Sequence, residues 1–172
     1  MRAFTLVEIL IVISIMALLA VGSFVYFKDF SAKKAVEKAA GEVQSLLRLA
    51  QSNATSSTKC NDQGAISWSL KFTNATTMKL RCSNSSEDRE VRTYTLENAQ
   101  VDQINGDSEC TIGLPATISY TPGLGIQSIS SSDVFTLNTC LQSSIITFTI
   151  KNLINNDTKT FKLSKGGAVN VQ

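Results

Sequence analysis

The chain has 172 residues, of which 43% are hydrophobic, and its formal net charge is +2. A charge this close to balance gives no general attraction to nucleic acid or to an anionic surface. The sequence contains no histidine, which is the commonest general base and metal ligand. It also contains no glycine-rich phosphate loop and no GxSxG nucleophile motif. We therefore expect no enzymatic activity, no cofactor and no metal site.

The most distinctive stretch covers residues 4–27, FTLVEILIVISIMALLAVGSFVYF, and contains one charged residue, Glu8. As a helix this stretch would cover roughly 36 Å, and the hydrocarbon core of a bilayer is about 30 Å thick. An unpaired carboxylate at this depth costs on the order of a few kcal/mol. The stretch is therefore long enough to span a membrane, and Glu8 requires a cation close by or on another chain.

Residues 3–8, AFTLVE, followed by the apolar run 9–21, resemble the N-terminus of type IV pilin and type II secretion pseudopilin precursors. This resemblance implies that a leader, residues 1–3, is removed between Ala3 and Phe4 by a prepilin peptidase, which also methylates Phe4. It further implies that Glu8 neutralises the terminal amine of a neighbouring subunit. Such an amine is largely protonated near neutral pH, and a buried ion pair sets register more reliably than stability. The family usually has Gly where this chain has Ala3.

Residues 4–27 allow two other interpretations. A secretory signal would use the small residues Ala20 and Gly22 and would be cut before Ser23. The charge of Glu8 and the uninterrupted helical pattern beyond Ser23 argue against a secretory signal. A plain single-span membrane anchor is the second interpretation, and it leaves the FTLVE motif unexplained.

A helical pattern continues beyond the apolar stretch, because apolar residues recur at three- and four-residue spacing through residues 28–55. No proline precedes Pro115, so the sequence predicts one continuous helix over residues 5–54, about 75 Å long. We expect residues 4–27 to lie in the membrane or the filament core and residues 28–55 to pack against a head formed by residues 56–172. Major pilins commonly carry a proline in the apolar region, and its absence here favours a minor pilin or a pseudopilin.

The head has the period-two alternation of β-strands. Strands are predicted at residues 66–72, 78–82, 91–96, 117–120, 134–137, 144–150, 159–163 and 168–171. Residues 74–77 and 155–157 suit turns, and residues 83–90 and 100–113 are predicted to be loops. The acidic loop 100–113 has no EF-hand spacing, so we expect it to be solvated rather than to bind calcium. The predicted fold is α+β, with a long N-terminal helical spine packed against antiparallel sheets, as in pilins.

Four cysteines, Cys60, Cys82, Cys110 and Cys140, all follow the apolar stretch. Their even number fits an oxidising compartment and allows three pairings. We favour Cys60 with Cys82 and Cys110 with Cys140, because each pair joins neighbouring segments. The wide spacings argue against a zinc site. Reduced structural cysteines in a cytosolic domain are the alternative.

The order of elements is similar to that of the minor pseudopilin H and FimT group, through residues 49–54 at the helix end, 118–123 and 161–169. Some members of that group bind DNA through arginines beside the last glycines. Here Gly166, Gly167, Ala168 and Asn170 stand in that region, and its basic residue is Lys165. The resemblance therefore makes DNA an improbable partner.

The resemblance implies a structural subunit of a type IV pilus or a type II secretion-like filament. The implied partners are other pilin or pseudopilin subunits, prepilin peptidase, the inner-membrane assembly platform and, before assembly, membrane lipid. The implied location is the bacterial inner membrane, crossed once, with the head in the periplasm or outside the cell. The alternative function is a binding module on the same stalk, either an adhesin or a DNA-uptake receptor.

Overall fold

A 50-residue helix, α1 (Leu6–Thr55), forms the N-terminal part of the protein. The computed structural model describes residues 6–107, 110–123, 125–131, 144–164, 166 and 169–171. It describes the backbone alone for residues 21–29, 125–127 and 169–171. At the usual rise per residue α1 is about 75 Å long. The predicted continuous helix is confirmed.

The C-terminal part of α1 buries one face against the rest of the protein. The buried residues are small or aliphatic and recur at three- and four-residue spacing: Ala32, Val36, Ala39, Ala40, Val43, Leu46, Leu47, Ala50 and Ala54. Charged side chains such as Lys34 and Lys38 lie on the exposed faces. This part of α1 is therefore an ordinary amphipathic helix.

Nine strands follow α1 in the described part of the chain. They are β1 (Ser67–Phe72), β2 (Thr77–Ser83), β3 (Asp88–Thr95), β4 (Ala99–Gly106), β5 (Ala116–Thr121), β6 (Gly125–Ser131), β7 (Ile145–Asn152), β8 (Thr158–Ser164) and β9 (Val169–Val171). They form a five-stranded sheet in the order β3-β2-β1-β5-β6 and a four-stranded sheet in the order β4-β7-β8-β9. The strand pairs are antiparallel. The predicted α+β architecture, with a helix packed on antiparallel sheets, is confirmed.

The two sheets and α1 share one hydrophobic core. Aromatic rings join the sheets, because Phe72 of β1 lies 5.6 Å from Phe148 of β7, measured between ring centroids. Phe148 in turn stacks on Phe161 of β8 at 4.8 Å. All three rings are fully buried. Burial of large aromatic side chains contributes strongly to stability, so this stack fixes one sheet against the other.

The predicted turns are found between the expected strands. Asn74 begins the turn between β1 and β2, where its side-chain oxygen accepts hydrogen bonds from the backbone amides of Thr76 and Thr77. The predicted turn at residues 155–157 joins β7 to β8, and Asn156 adopts a positive φ of 61° there. Asparagine tolerates this left-handed conformation better than most residues.

Three predictions in the head are wrong in detail. The segment predicted as a loop at residues 100–113 contains β4, which begins at Ala99 and pairs along β7. A bulge between Val101 and Gln103 changes the spacing of the buried residues from two, between Ala99 and Val101, to three, between Val101 and Ile104. The sequence therefore lacks the strict alternation that predicts a strand.

The other two corrections concern polar edge strands. β3 begins at Asp88, so the loop predicted at residues 83–90 is confined to residues 84–87. β6 was not predicted, because its glycine and serines are typical of a turn. Both strands lie at the edges of the five-stranded sheet, where one side is open and few side chains need to be apolar. The strand predicted at residues 134–137 lies outside the described residues.

Candidate functional site

The N-terminal part of α1 exposes apolar side chains in every direction around the helix axis. Five consecutive residues, Ile9 to Ile13, are each more than half exposed, and successive side chains of a helix point about 100° apart. Leu6, Val7, Ile15, Met16, Leu18 and Leu19 are exposed as well. Soluble proteins rarely show a continuous apolar surface of this extent. A helix that is apolar on all sides is suited to an apolar environment.

The hydroxyl group of Ser14 is already satisfied within the helix. This hydroxyl donates a hydrogen bond of 2.8 Å to the carbonyl oxygen of Leu10, one turn earlier. A hydroxyl bonded in this way can enter an apolar environment without losing a hydrogen bond to water. Ser14 is therefore no obstacle to burial of this surface.

Glu8 lies in the first turn of α1 and is exposed. It shares a shallow surface depression with Ile9, Ile11, Val12 and Ile13. A carboxylate near the N-terminus of a helix is stabilised by the helix dipole. The structure thus places a carboxylate at one end of an otherwise apolar surface. The predicted processing residues, Ala3 and Phe4, lie outside the described residues.

Among the described residues, no helical segment has the length and hydropathy required to cross a membrane. The predicted span, residues 4–27, lies partly outside that set, because residues 4 and 5 and the side chains of residues 21–27 are not described.

The resemblance of residues 3–8 to prepilin N-termini predicts a processed N-terminus. Residues 1–24 match the prokaryotic N-terminal methylation motif. The chain thus carries the prepilin-type motif found in type IV pilins and pseudopilins. No curated protein and no solved structure matches the chain. The narrower resemblance to the H and FimT group remains a prediction.

The methylation motif covers about a seventh of the chain and includes Ala3, Phe4 and Glu8. A motif of this kind implies processing by prepilin peptidase and anchoring in the inner membrane before assembly. The methylation motif says nothing about the head, so the properties of the head follow from its own structure.

A disulfide between Cys60 and Cys82 confirms the first predicted pair. It links a residue just beyond the end of α1 to β2, with 22 residues of sequence separation and 5.8 Å between the Cα atoms. Cys110 is also disulfide-bonded. Cys140 lies outside the described residues, so the pairing of Cys110 with Cys140 remains a prediction.

The acidic residues singled out in the sequence do not form a metal site in the described part of the chain. No group of three or more His, Cys, Asp or Glu side chains converges there. The side-chain oxygen of Asp107 instead accepts hydrogen bonds from the Ser144 hydroxyl, at 2.7 Å, and from the Ile145 amide, at 2.9 Å. Asp107 therefore fixes the start of β7 beside the end of β4.

A groove between α1 and the β7–β8 hairpin is lined by charges of both signs. Lys33 and Glu37 come from α1, and Asp157 and Lys159 come from the hairpin. A hydrogen bond from Lys34, at 2.7 Å, and the charge of that lysine lower the pKa of Glu37 below its usual value. Glu37 is therefore ionised at neutral pH, and the groove favours no single sign of ligand charge.

One contact between head and helix was not predicted. Asn152, at the end of β7, is fully buried, and its side-chain amide donates a hydrogen bond of 2.9 Å to the carbonyl of Ala32 in α1. Its side-chain oxygen accepts from the backbone amides of Ile154, at 2.6 Å, and Asn155, at 3.3 Å. The sequence showed an asparagine before a turn, but a partner 120 residues away gives no local signal.

Proposed function

We propose that the protein is a structural subunit, a minor pilin or pseudopilin, of a type IV pilus or a type II secretion-like filament. The observation that carries this proposal is the methylation motif at the start of a helix that is apolar on all sides and continues into a folded head. A helix of this kind needs an apolar environment, which a bilayer supplies before assembly and packed helices supply afterwards.

In this proposal, prepilin peptidase cuts between Ala3 and Phe4 and methylates Phe4. Residues 4–27 hold the subunit in the inner membrane, residues 28–55 continue the spine, and residues 56–172 form the head. Glu8 then pairs with the terminal amine of a neighbouring subunit. Because both groups leave water, the pair selects one register between helices more than it adds stability. The assembly platform provides the energy for moving the subunit out of the membrane.

The minor-subunit assignment rests on the absence of proline before Pro115 and on the resemblance of the head to the H and FimT group. A role as a DNA receptor fits the described residues less well. On the outer side of the five-stranded sheet, Lys79 pairs with Glu90 at 2.8 Å and Arg81 pairs with Asp88 at 2.7 Å. Cations neutralised in this way give little attraction to phosphate groups.

The test compares Glu8→Val, Glu8→Asp and the unchanged chain in cells that contain the assembly machinery. We expect all three to insert into the membrane and to yield mature protein that begins with methylated Phe4, as measured by mass spectrometry. Removing one member of a buried ion pair costs about 3–5 kcal/mol, which corresponds to roughly a hundredfold or greater loss of association. Glu8→Val should therefore be lost from sheared filaments, and Glu8→Asp should retain part of the incorporation.

The control is Ser14→Ala, because the Ser14 hydroxyl is bonded within its own helix and its loss should not affect incorporation. Normal incorporation of Glu8→Val would disprove the pairing of Glu8. A mature protein that begins at Ser23, or that retains Met1 in a working filament, would disprove the whole proposal.

A further inference from the structure

The loop between β7 and β8 presents two exposed aliphatic side chains at the end of the head. Leu153 is 54% exposed and Ile154 is 71% exposed, and both follow Asn152 directly. Burial of a large aliphatic side chain lowers the free energy, and a side chain that stays in water does not gain this stabilisation. Because the two residues are adjacent, they form a small apolar surface that could contact an apolar partner.

The tip is held in place. Asn152 accepts hydrogen bonds from the amides of Ile154 and Asn155, so its side chain closes the start of the loop. The amide of Leu153 donates to the carbonyl of Asn98, at 3.1 Å, in the connection between β3 and β4. The two apolar side chains therefore need little further ordering before they make a contact, which lowers the entropic cost of binding.

The tip also lies at a defined level along α1. Asn152 contacts the carbonyl of Ala32, which is five residues beyond the apolar stretch that ends at residue 27. Five residues of helix rise about 7.5 Å. The headgroup region beyond the hydrocarbon core is about 5–8 Å thick on each side, so this contact lies near the outer limit of that region, and side chains that extend inward from it can reach the acyl boundary.

At the same level the described lysines Lys33, Lys34 and Lys159 outnumber the acidic residues Glu37 and Asp157 by one, which leaves a small positive charge facing the lipid headgroups. Lys33 is exposed on α1, and Lys159 lines the groove beside it. The acidic residues of that groove are Glu37, which pairs with Lys34 at 2.7 Å, and Asp157. Lysine side chains near a membrane surface extend towards the headgroups while their apolar stems stay close to the acyl chains.

We propose that Leu153 and Ile154 insert into the interface of a bilayer that contains anionic lipid, and thereby fix the orientation of the head before assembly. The β7–β8 tip is then a second membrane contact beside α1. This proposal rests on the membrane residence of α1 proposed above. The contact must be released when the subunit leaves the membrane, so it opposes extraction as well as orienting the head.

The test uses the full chain in vesicles, with an environment-sensitive nitrobenzoxadiazole label on one introduced cysteine. Three variants are compared: Ile154→Cys at the tip, Leu10→Cys in the apolar part of α1, and Ile66→Cys at the far end of the head. Ile66 is a matched control, because it is 54% exposed and its amide bonds to Ser83, beyond the C-terminal end of α1. The unchanged chain gives the background labelling, and Trp68 fluorescence checks that each variant is folded.

We expect the labels at positions 10 and 154 to shift to shorter emission wavelength in vesicles containing phosphatidylglycerol and to be quenched by nitroxide lipids. The label at position 66 should keep its aqueous emission. In phosphatidylcholine vesicles, or at high salt, the shift at position 154 should become smaller, because the lysines then contribute less.

A shifted label at position 10 together with an aqueous label at position 154 would overturn this inference and leave the proposed function standing. If the label at position 154 shifts in assembled filaments but not in vesicles, the tip binds a neighbouring subunit instead of lipid, and the inference is overturned. An aqueous label at position 10 would contradict membrane residence, and with it both proposals.

Discussion

The two ends of α1 both contain many apolar residues but differ in how those residues are spaced and in how many charged residues separate them. In the described N-terminal end, residues 6–20, the side chains are exposed and, apart from Glu8 and Ser14, apolar. In the part after residue 31, apolar side chains recur every three or four positions and are buried. The end that packs on its own head is therefore the end whose apolar residues form a single stripe between charged and polar residues.

This difference implies two separate sources of stability within one helix. The C-terminal end is stabilised by packing against both sheets, and its residues form part of the hydrophobic core. The N-terminal end has no such packing in the described part of the chain, since its large aliphatic side chains remain more than half exposed. For the N-terminal end, a bilayer or the helices of other subunits would have to provide the apolar contacts that the head provides for the C-terminal end.

The largest expected effect comes from making the same substitution at both ends of α1. Leu47 is fully buried, and Leu47→Ala should lower the free energy of unfolding of the head by about 2–5 kcal/mol. Leu10 is 59% exposed, and Leu10→Ala should change it by less than about 0.5 kcal/mol. Denaturant unfolding in mild detergent, followed by Trp68 fluorescence, measures both values.

Trp68 is a suitable probe because it is the one tryptophan of the chain and is 4% exposed. Its indole donates a hydrogen bond of 3.1 Å to the carbonyl of Thr58, so its emission reports the packing of the head beside the end of α1. Equal destabilisation by Leu10→Ala and Leu47→Ala would show that the two ends of α1 fold as one unit, and would contradict separate sources of stability for the two ends.

A second prediction concerns the disulfide that fastens the region after α1 to β2. Replacing both Cys60 and Cys82 by Ser should lower the free energy of unfolding by about 3 kcal/mol, because the unfolded chain regains the freedom of a closed loop. The double variant is preferred to a reducing agent, since Cys110 is also disulfide-bonded. Trp68 fluorescence again follows unfolding.

The exposed end of α1 provides the control for this prediction. Its helix content should be unchanged by loss of the disulfide, as measured by amide hydrogen exchange over residues 6–20 in detergent. Increased exchange over those residues, or an unchanged midpoint of head unfolding, would contradict the prediction.

The sequence was sufficient to predict the parts of the fold that depend on local pattern. The continuous helix follows from unbroken apolar spacing and the late first proline, and the Asn74 turn follows from the side-chain chemistry of asparagine. The Cys60–Cys82 pair was favoured because it joins neighbouring segments, and it is present. Glu8 lies in the first turn of α1, at the start of its exposed apolar surface, as expected for the glutamate of the methylation motif.

What the sequence did not show depends on contacts between distant segments. β4 was missed because a bulge at Asp102 interrupts the alternation that marks a strand. The bond from Asn152 to Ala32 was missed because neither residue differs locally from other asparagines before turns or other alanines in helices. The candidate second membrane contact depends on that bond, so it too became visible in the structure alone.

The smallest expected effect comes from Asn152, which holds the head at the boundary between the two ends of α1. Asn152→Asp keeps the oxygens that bond the loop amides but removes the donor to Ala32 and introduces a buried charge facing a carbonyl oxygen. We expect a loss of about 1–3 kcal/mol at neutral pH. Protonation of the new carboxyl group restores a donor towards the Ala32 carbonyl, so the loss should shrink as the pH falls.

Asn84→Asp is the matched control, because Asn84 makes the same set of contacts at the opposite end of the head. Its amide donates to the carbonyl of Cys60, at 3.2 Å, and its oxygen accepts from the amides of Ser86 and Glu87, both at 2.8 Å. The two variants should lose similar stability by Trp68 fluorescence. Hydrogen exchange should separate them, since only Asn152→Asp should raise exchange over residues 32–40 of α1. If both variants, or neither, raise exchange there, then Asn152 does not set the point at which α1 leaves the head.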